Sequence, residues 1–111
     1  MARILILDPD TRHAGELVRV LTSRSYRTTT CASIDAALSI VGESETPFDV
    51  IIVVLPADGP DDWGAVASMV NVGTTGGLRS MGLCVSRVYR GPHTRLEAER
   101  RGLRLAYERP I

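Results

Sequence analysis

Apolar residues along this chain alternate between two kinds of pattern, short continuous runs and helical stripes. Ile4 to Leu7 form one such run, Asp49-Val50-Ile51-Ile52-Val53-Val54-Leu55 another and Met81 to Ser86 a third. A short run rich in Val and Ile, with few polar interruptions, reads as a parallel strand buried on both faces. Between them lie stripes with helical spacing. Ala14, Leu17, Val18 and Leu21 follow a helix start at Asp10-Thr11, and Ala36, Ala37, Ile40 and Val41 follow Ser33 and end at Gly42. Asp and Ser are side chains that accept from the free amides of a first helical turn, and Gly suits a helix end. A third helix runs from Asp62 through Trp63, Val66, Ala67, Met69 and Val70, dissolving at Gly73-Thr74-Thr75-Gly76-Gly77; a short charged fourth spans His93 to Arg101 and stops at Gly102. Tyr26 to Cys31, with three threonines, reads as a second strand, and alternating Leu103, Leu105 and Tyr107 as a fifth.

Five strands separated by helices predict an α/β fold, a doubly wound parallel sheet with right-handed crossovers in the order 2-1-3-4-5. With 111 residues the chain builds one core, so residues 1–111 form a single domain. Ligands of such sheets sit beyond the carboxyl ends of the strands, here near Asp8, Val54 and Ser86. No apolar run approaches the roughly 20 residues of a membrane span. Met1-Ala2-Arg3 leads directly into a strand, so a cytoplasmic protein with no membrane association is expected.

Net charge is zero, yet the signs are segregated. Most acids precede residue 79, whereas Arg79, Arg87, Arg90, Arg95, Arg100, Arg101, Arg104 and Arg109 make the last third basic; there is no lysine. Cys31 and Cys84 have neither a neighbouring Cys nor a neighbouring His, which excludes a disulfide framework or a zinc motif and predicts buried reduced thiols. Gly73 to Gly77 lacks a following Lys and is followed by a strand, which argues against a phosphate loop. His13 and His93 stand at helix starts without a nucleophile or ligand cluster and are expected to face solvent. Trp63 has two readings, an exposed partner anchor or a side chain closing one end of the core.

The ending of the first strand at Asp8, the Phe48-Asp49 approach to the third strand and the terminal Arg109-Pro110 pair together make the chain resemble the receiver domain of bacterial two-component response regulators, the CheY-like, flavodoxin-like fold. The resemblance spans essentially the whole chain and also marks where it departs from the family. Of the two adjacent acids that help to hold Mg²⁺, Asp8 matches the first; Pro9 replaces the second and Asp10 comes one position late. Val54 stands at the phosphoacceptor position, and a valine cannot form an acyl phosphate. Ser86 matches the hydroxyl residue ending strand four, and Arg109 falls where the family has lysine. Ala106 occupies the position of a switching aromatic, with Tyr107 on the opposite strand parity.

The resemblance therefore implies a degenerate pseudo-receiver in which Asp8, Asp10, Val54, Ser86 and Arg109 are remnants of a phosphorylation pocket, with no catalytic residue, metal or cofactor. Arg109 pairing with Asp8, and Asp58, Asp61 or Asp62 substituting as acceptor, are competing readings of the same edge. The family's fifth helix has no counterpart before Ile111, leaving a sheet face to be covered by something else. The implied function is a phosphorylation-independent interaction or dimerisation module. Its partner would be a protein or a second copy, meeting a surface of Arg87, Arg90, Arg95, Arg100, Arg101, Arg104 and Tyr107. Alternatives from other classes are a small-ligand or nucleotide-binding domain, and a regulator contacting nucleic acid through its basic third.

Overall fold

A computed structural model describes residues 2–45, 48–55, 63–73, 81–86 and 92–107. The elements alternate as β1 (Arg3–Leu7), α1 (Thr11–Ser23), β2 (Arg27–Cys31), α2 (Ile34–Glu43), β3 (Val50–Val54), α3 (Trp63–Gly73), β4 (Met81–Ser86), α4 (Pro92–Arg100) and β5 (Arg104–Tyr107). The five strands form one sheet in the order β2-β1-β3-β4-β5, with every pairing parallel, so the predicted topology is the observed one.

The two faces of the sheet carry separate cores because successive side chains alternate. Leu5, Leu7, Ile51, Val53, Cys84 and Leu105 point to one face and meet Ala37 and Val41 of α2, Val66, Met69 and Val70 of α3, and Ala98 of α4. Phe48 closes this core and is fully buried, with the Arg3 guanidinium 4.5 Å above its ring. Trp63 is partly buried against the same cluster, which favours its core-closing reading. Ile4, Ile6, Ile52 and Val54 point to the other face, where Leu17, Val18 and Leu21 of α1 cover them.

Among the described residues, α1 is the sole helix packed on that second face. Pairing aligns Ile52 with Leu83 and Arg104, and Val54 with Val85 and Ala106, so two rows run from β3 across β4 to β5. Leu83, Val85, Ala106 and the neighbouring Val50 are only half-buried. Of the four described helices, α1 alone contributes to the core on this face.

Local chemistry explains the element ends. Asp10 Oδ1 accepts from the amides of Arg12 (3.0 Å) and His13 (3.2 Å), and Ser33 Oγ from that of Ala36 (3.1 Å), so both predicted N-caps are in place. Gly102, at φ +77°, ends α4 while the Leu103 amide reaches back to the Ala98 carbonyl at 2.9 Å, a closure that needs the left-handed backbone glycine tolerates. Gly82 has a different reason. A Cβ there would stand 2.5 Å from Val70 Cγ1 and 2.8 Å from Leu103 Cδ2, so its hydrogen is what lets α3 lie close on β4.

Candidate functional site at the strand carboxyl ends

Asp8 follows Leu7, whose partner on β3 is Val53, so Asp8 stands level with Val54 at the carboxyl edge. Val54 in turn pairs with Val85, and Ser86 lies one residue further along β4. The structure therefore gathers Asp8, Val54 and Ser86 on three adjacent strands, as the topology requires. Alternation divides them. Asp8 shares the parity of Ile4 and Ile6, and Val54 that of Ile52, all on the α1 face, whereas Ser86 shares the parity of Cys84 on the opposite face. Ser86 is fully buried, as the last residue of a strand rather than part of a loop.

Asp8 is 2% exposed and His13 4%. The imidazole Nδ1 lies 2.5 Å from Asp8 Oδ2, and Asp8 Oδ1 accepts from the Asp10 amide at 2.9 Å. This corrects the expectation that His13 faces solvent. Its signal was present in the sequence, since His13 precedes Leu17 by one helical turn and adjoins Ala14, placing it on the buried stripe of α1. A buried carboxylate needs hydrogen-bonding or charged partners, and His13 supplies one. His93, by contrast, is exposed at the start of α4, as expected.

Asp10 is exposed and commits its Oδ1 to the first turn of α1. Val54 is 4% exposed among Ile4, Ile6 and Ile52, so an aliphatic group fills the end of β3. Hard divalent cations take several oxygen ligands. Among the described residues no group of three His, Cys, Asp or Glu side chains is placed to hold a metal, and the carboxylate oxygens of Asp8 already serve His13 and Asp10. This donor set does not fit such a cation. Arg109, Arg87, Arg90, Asp58, Asp61 and Asp62 lie outside the described residues.

On the basic surface, Glu97 pairs with Arg100 (3.6 Å) and Arg101 (2.5 Å), and Arg95 donates to the Leu105 carbonyl at 3.1 Å while lying 4.0 Å from Glu99. Arg104 is exposed on β5; Tyr107 ends that strand, its side chain outside the description. Leu96, 54% exposed, sits amid these charges. Part of the arginine surface is thus internally paired, at helical spacings that contribute little individually. Both cysteines are free. Burial pushes the Cys84 thiol up to about 12 and raises that of the half-buried Cys31.

Solved structures superpose on this chain over nearly its whole length. A two-component response regulator from Clostridium difficile superposes with a TM-score of 0.78 at 19% identity, over 100% of this chain and 85% of the other. A response regulator from Burkholderia pseudomallei with a phosphorylated aspartic acid gives 0.80 at 22% identity, over 100% of this chain and 61% of its own. The fold is the receiver fold. An adenylate cyclase from Rhodopirellula baltica also superposes, with a TM-score of 0.71 at 27% identity, over 96% of this chain and 76% of that one. No family model and no curated protein matches the sequence. Within the receiver fold, Val54 ends β3 and the Asp8–His13 pair ends β1. No helix among the described residues is long and apolar enough to cross a membrane.

Proposed function

We propose that this chain is a receiver-like signalling domain that works without phosphorylation, as a bacterial interaction module for a protein partner or a second copy of itself. The observation that carries the reading is the chemistry at the strand ends: Val54 extends an apolar cluster, and Asp8 is held by an internal imidazole. Acyl phosphate formation needs a carboxylate oxygen at the attacking position, which an isopropyl group lacks. The fold's similarity to response regulators supports a signalling role. The half-buried patch of Val50, Leu83, Val85 and Ala106, next to Arg104 of β5, supports a docking role, since apolar area rimmed by charge favours association.

Two measurements test this. Acetyl phosphate with Mg²⁺ leaves the intact mass unchanged, and beryllofluoride with Mg²⁺ leaves the amide spectrum unchanged; a stoichiometric aspartyl adduct overturns the phosphorylation-independent reading. Sedimentation over a concentration series shows reversible dimer formation, and a monomer at every concentration removes self-association from the proposal.

A further inference from the structure

Strand β2 ends the sheet, and the register of its pairing with β1 shows which of its backbone groups are spare. The Arg27 amide donates to the Ala2 carbonyl at 3.0 Å, and the Cys31 carbonyl accepts from the Asp8 amide at 2.9 Å. Alternation therefore turns the peptide groups of Arg27, Thr29 and Cys31 toward β1 and those of Thr28 and Thr30 toward the open edge. Among the described residues, none bonds to these edge-facing amides and carbonyls. We propose that the edge is a self-association site, where β2 of a second copy pairs antiparallel with β2 about a two-fold axis through Thr29. This surface is distinct from the apolar patch on the other side of the sheet, and the inference does not rest on the reading above.

The pattern of the strand selects that partner. Outward residues on either side of Thr29 are what an isologous antiparallel pair needs: Thr28 of each copy faces Thr30 of the other and exchanges both N–H···O bonds with it, while Thr29 faces its own equivalent. Threonines opposite one another favour such pairing, and Arg27, the one charge in the strand, falls opposite Cys31, so no like charges meet. Beyond the strand, the exposed Arg24 and Arg27 approach the end of the partner that leads into the exposed Asp35; none of the three has an ion pair among the described residues. Devices that guard an edge are missing from β2, which contains no proline or lysine and runs in unbroken register from Arg27 to Cys31. The same axis, normal to the sheet, sets the two α1 helices side by side on one face, each against the other's cleft lined by Gly15, Val18 and Thr30. Gly15, with no atom within 4 Å of where its Cβ would stand, lets the partner helix come close.

Amide exchange of the full chain, followed residue by residue over a concentration series alongside sedimentation, tests the proposal. Thr28 and Thr30 become protected as dimer forms, whereas Thr29 and Cys31 are protected at every concentration. A second measurement uses charge. Thr29 is exposed, so Thr29→Lys and Thr29→Glu leave the fold intact; each sets like charges against one another across the axis and weakens self-association about five-fold. An equimolar mixture of the two variants regains at least the original affinity, because opposite charges then meet. A chain that stays monomeric, a dimer in which Thr28 and Thr30 still exchange freely, or variants that associate as tightly alone as mixed each overturn the proposal. The second of these results would move the contact to the apolar patch and leave the preceding reading standing.

Discussion

Replacing His13 with leucine isolates what holds Asp8 in the interior. The two side chains are almost wholly removed from solvent and meet at 2.5 Å, so the substitution leaves a buried carboxylate with the Asp10 amide as its remaining described partner. Removing one member of a buried pair costs about 3 to 5 kcal/mol, chiefly from the charge left behind, and leucine recovers part of the packing. A loss near the lower figure, about 3 kcal/mol, is therefore expected. For a domain of this size it is a large share of total stability. With a urea slope of about 1.5 kcal/mol/M it lowers the unfolding midpoint by about 2 M.

Asp8→Asn in the His13→Leu background supplies the control. Asparagine keeps a carbonyl for the Asp10 amide and removes the charge, so the double variant is more stable than the sum of the single losses predicts. The coupling is about 2 kcal/mol, within the range found for residues in direct contact. Urea denaturation of the four proteins, followed by far-ultraviolet circular dichroism, gives the cycle. A His13→Leu loss below about 1 kcal/mol, or additive single effects, would refute the claim that the imidazole makes the buried carboxylate tolerable.

Two further outcomes follow from the packing. Gly82→Ala puts a methyl group 2.5 Å from Val70 Cγ1 and 2.8 Å from Leu103 Cδ2, and overpacking on this scale costs about 1 to 3 kcal/mol; an unchanged thermal midpoint would show that α3 is free to move away from β4. The Cys84 thiol, raised by burial from 9.0 to about 12, stays protonated in the folded chain at pH values where the unfolded chain ionises. The unfolded state then binds fewer protons, so stability falls as pH rises above 9 and continues to fall toward 12. Cys84→Ala flattens that slope, and a thiol-disulfide reagent at pH 8 modifies Cys84 in the native protein only as fast as the domain opens. Rapid stoichiometric modification of both cysteines would contradict the burial argument.

The sheet was legible because β1 and β3 are covered on both faces, and such strands appear as unbroken Ile, Val and Leu runs with no helical alternative of that length. Strand β2 was legible for another reason. It is an edge strand, largely exposed, and its threonines report β-branching rather than burial. His13 was misread because a polar residue on an apolar stripe is ambiguous until its partner is known. That partner, Asp8, lies across a turn, where helical periodicity does not reach. Conversely, the family resemblance drew Asp8 and Asp10 together as acids of one pocket, although their carboxylates do different work. Asp10 faces solvent and caps α1, whereas Asp8 points inward. The spacing of the acids along the chain was visible; the division of labour depended on strand parity and on where α1 begins.

The strand ends also show how an aliphatic side chain and a buried carboxylate share one edge. Val54 continues the row of Ile52 and pairs with Val85, so the apolar surface on the α1 face extends to the last residue of β3. Beside it, a lone Asp8 would be costly to bury, and the imidazole of His13 neutralises that cost from within the same domain. Val54 and His13 thus settle neighbouring strand ends in different ways: the first packs into the apolar cluster, and the second satisfies the buried carboxylate. Both side chains are almost wholly removed from solvent.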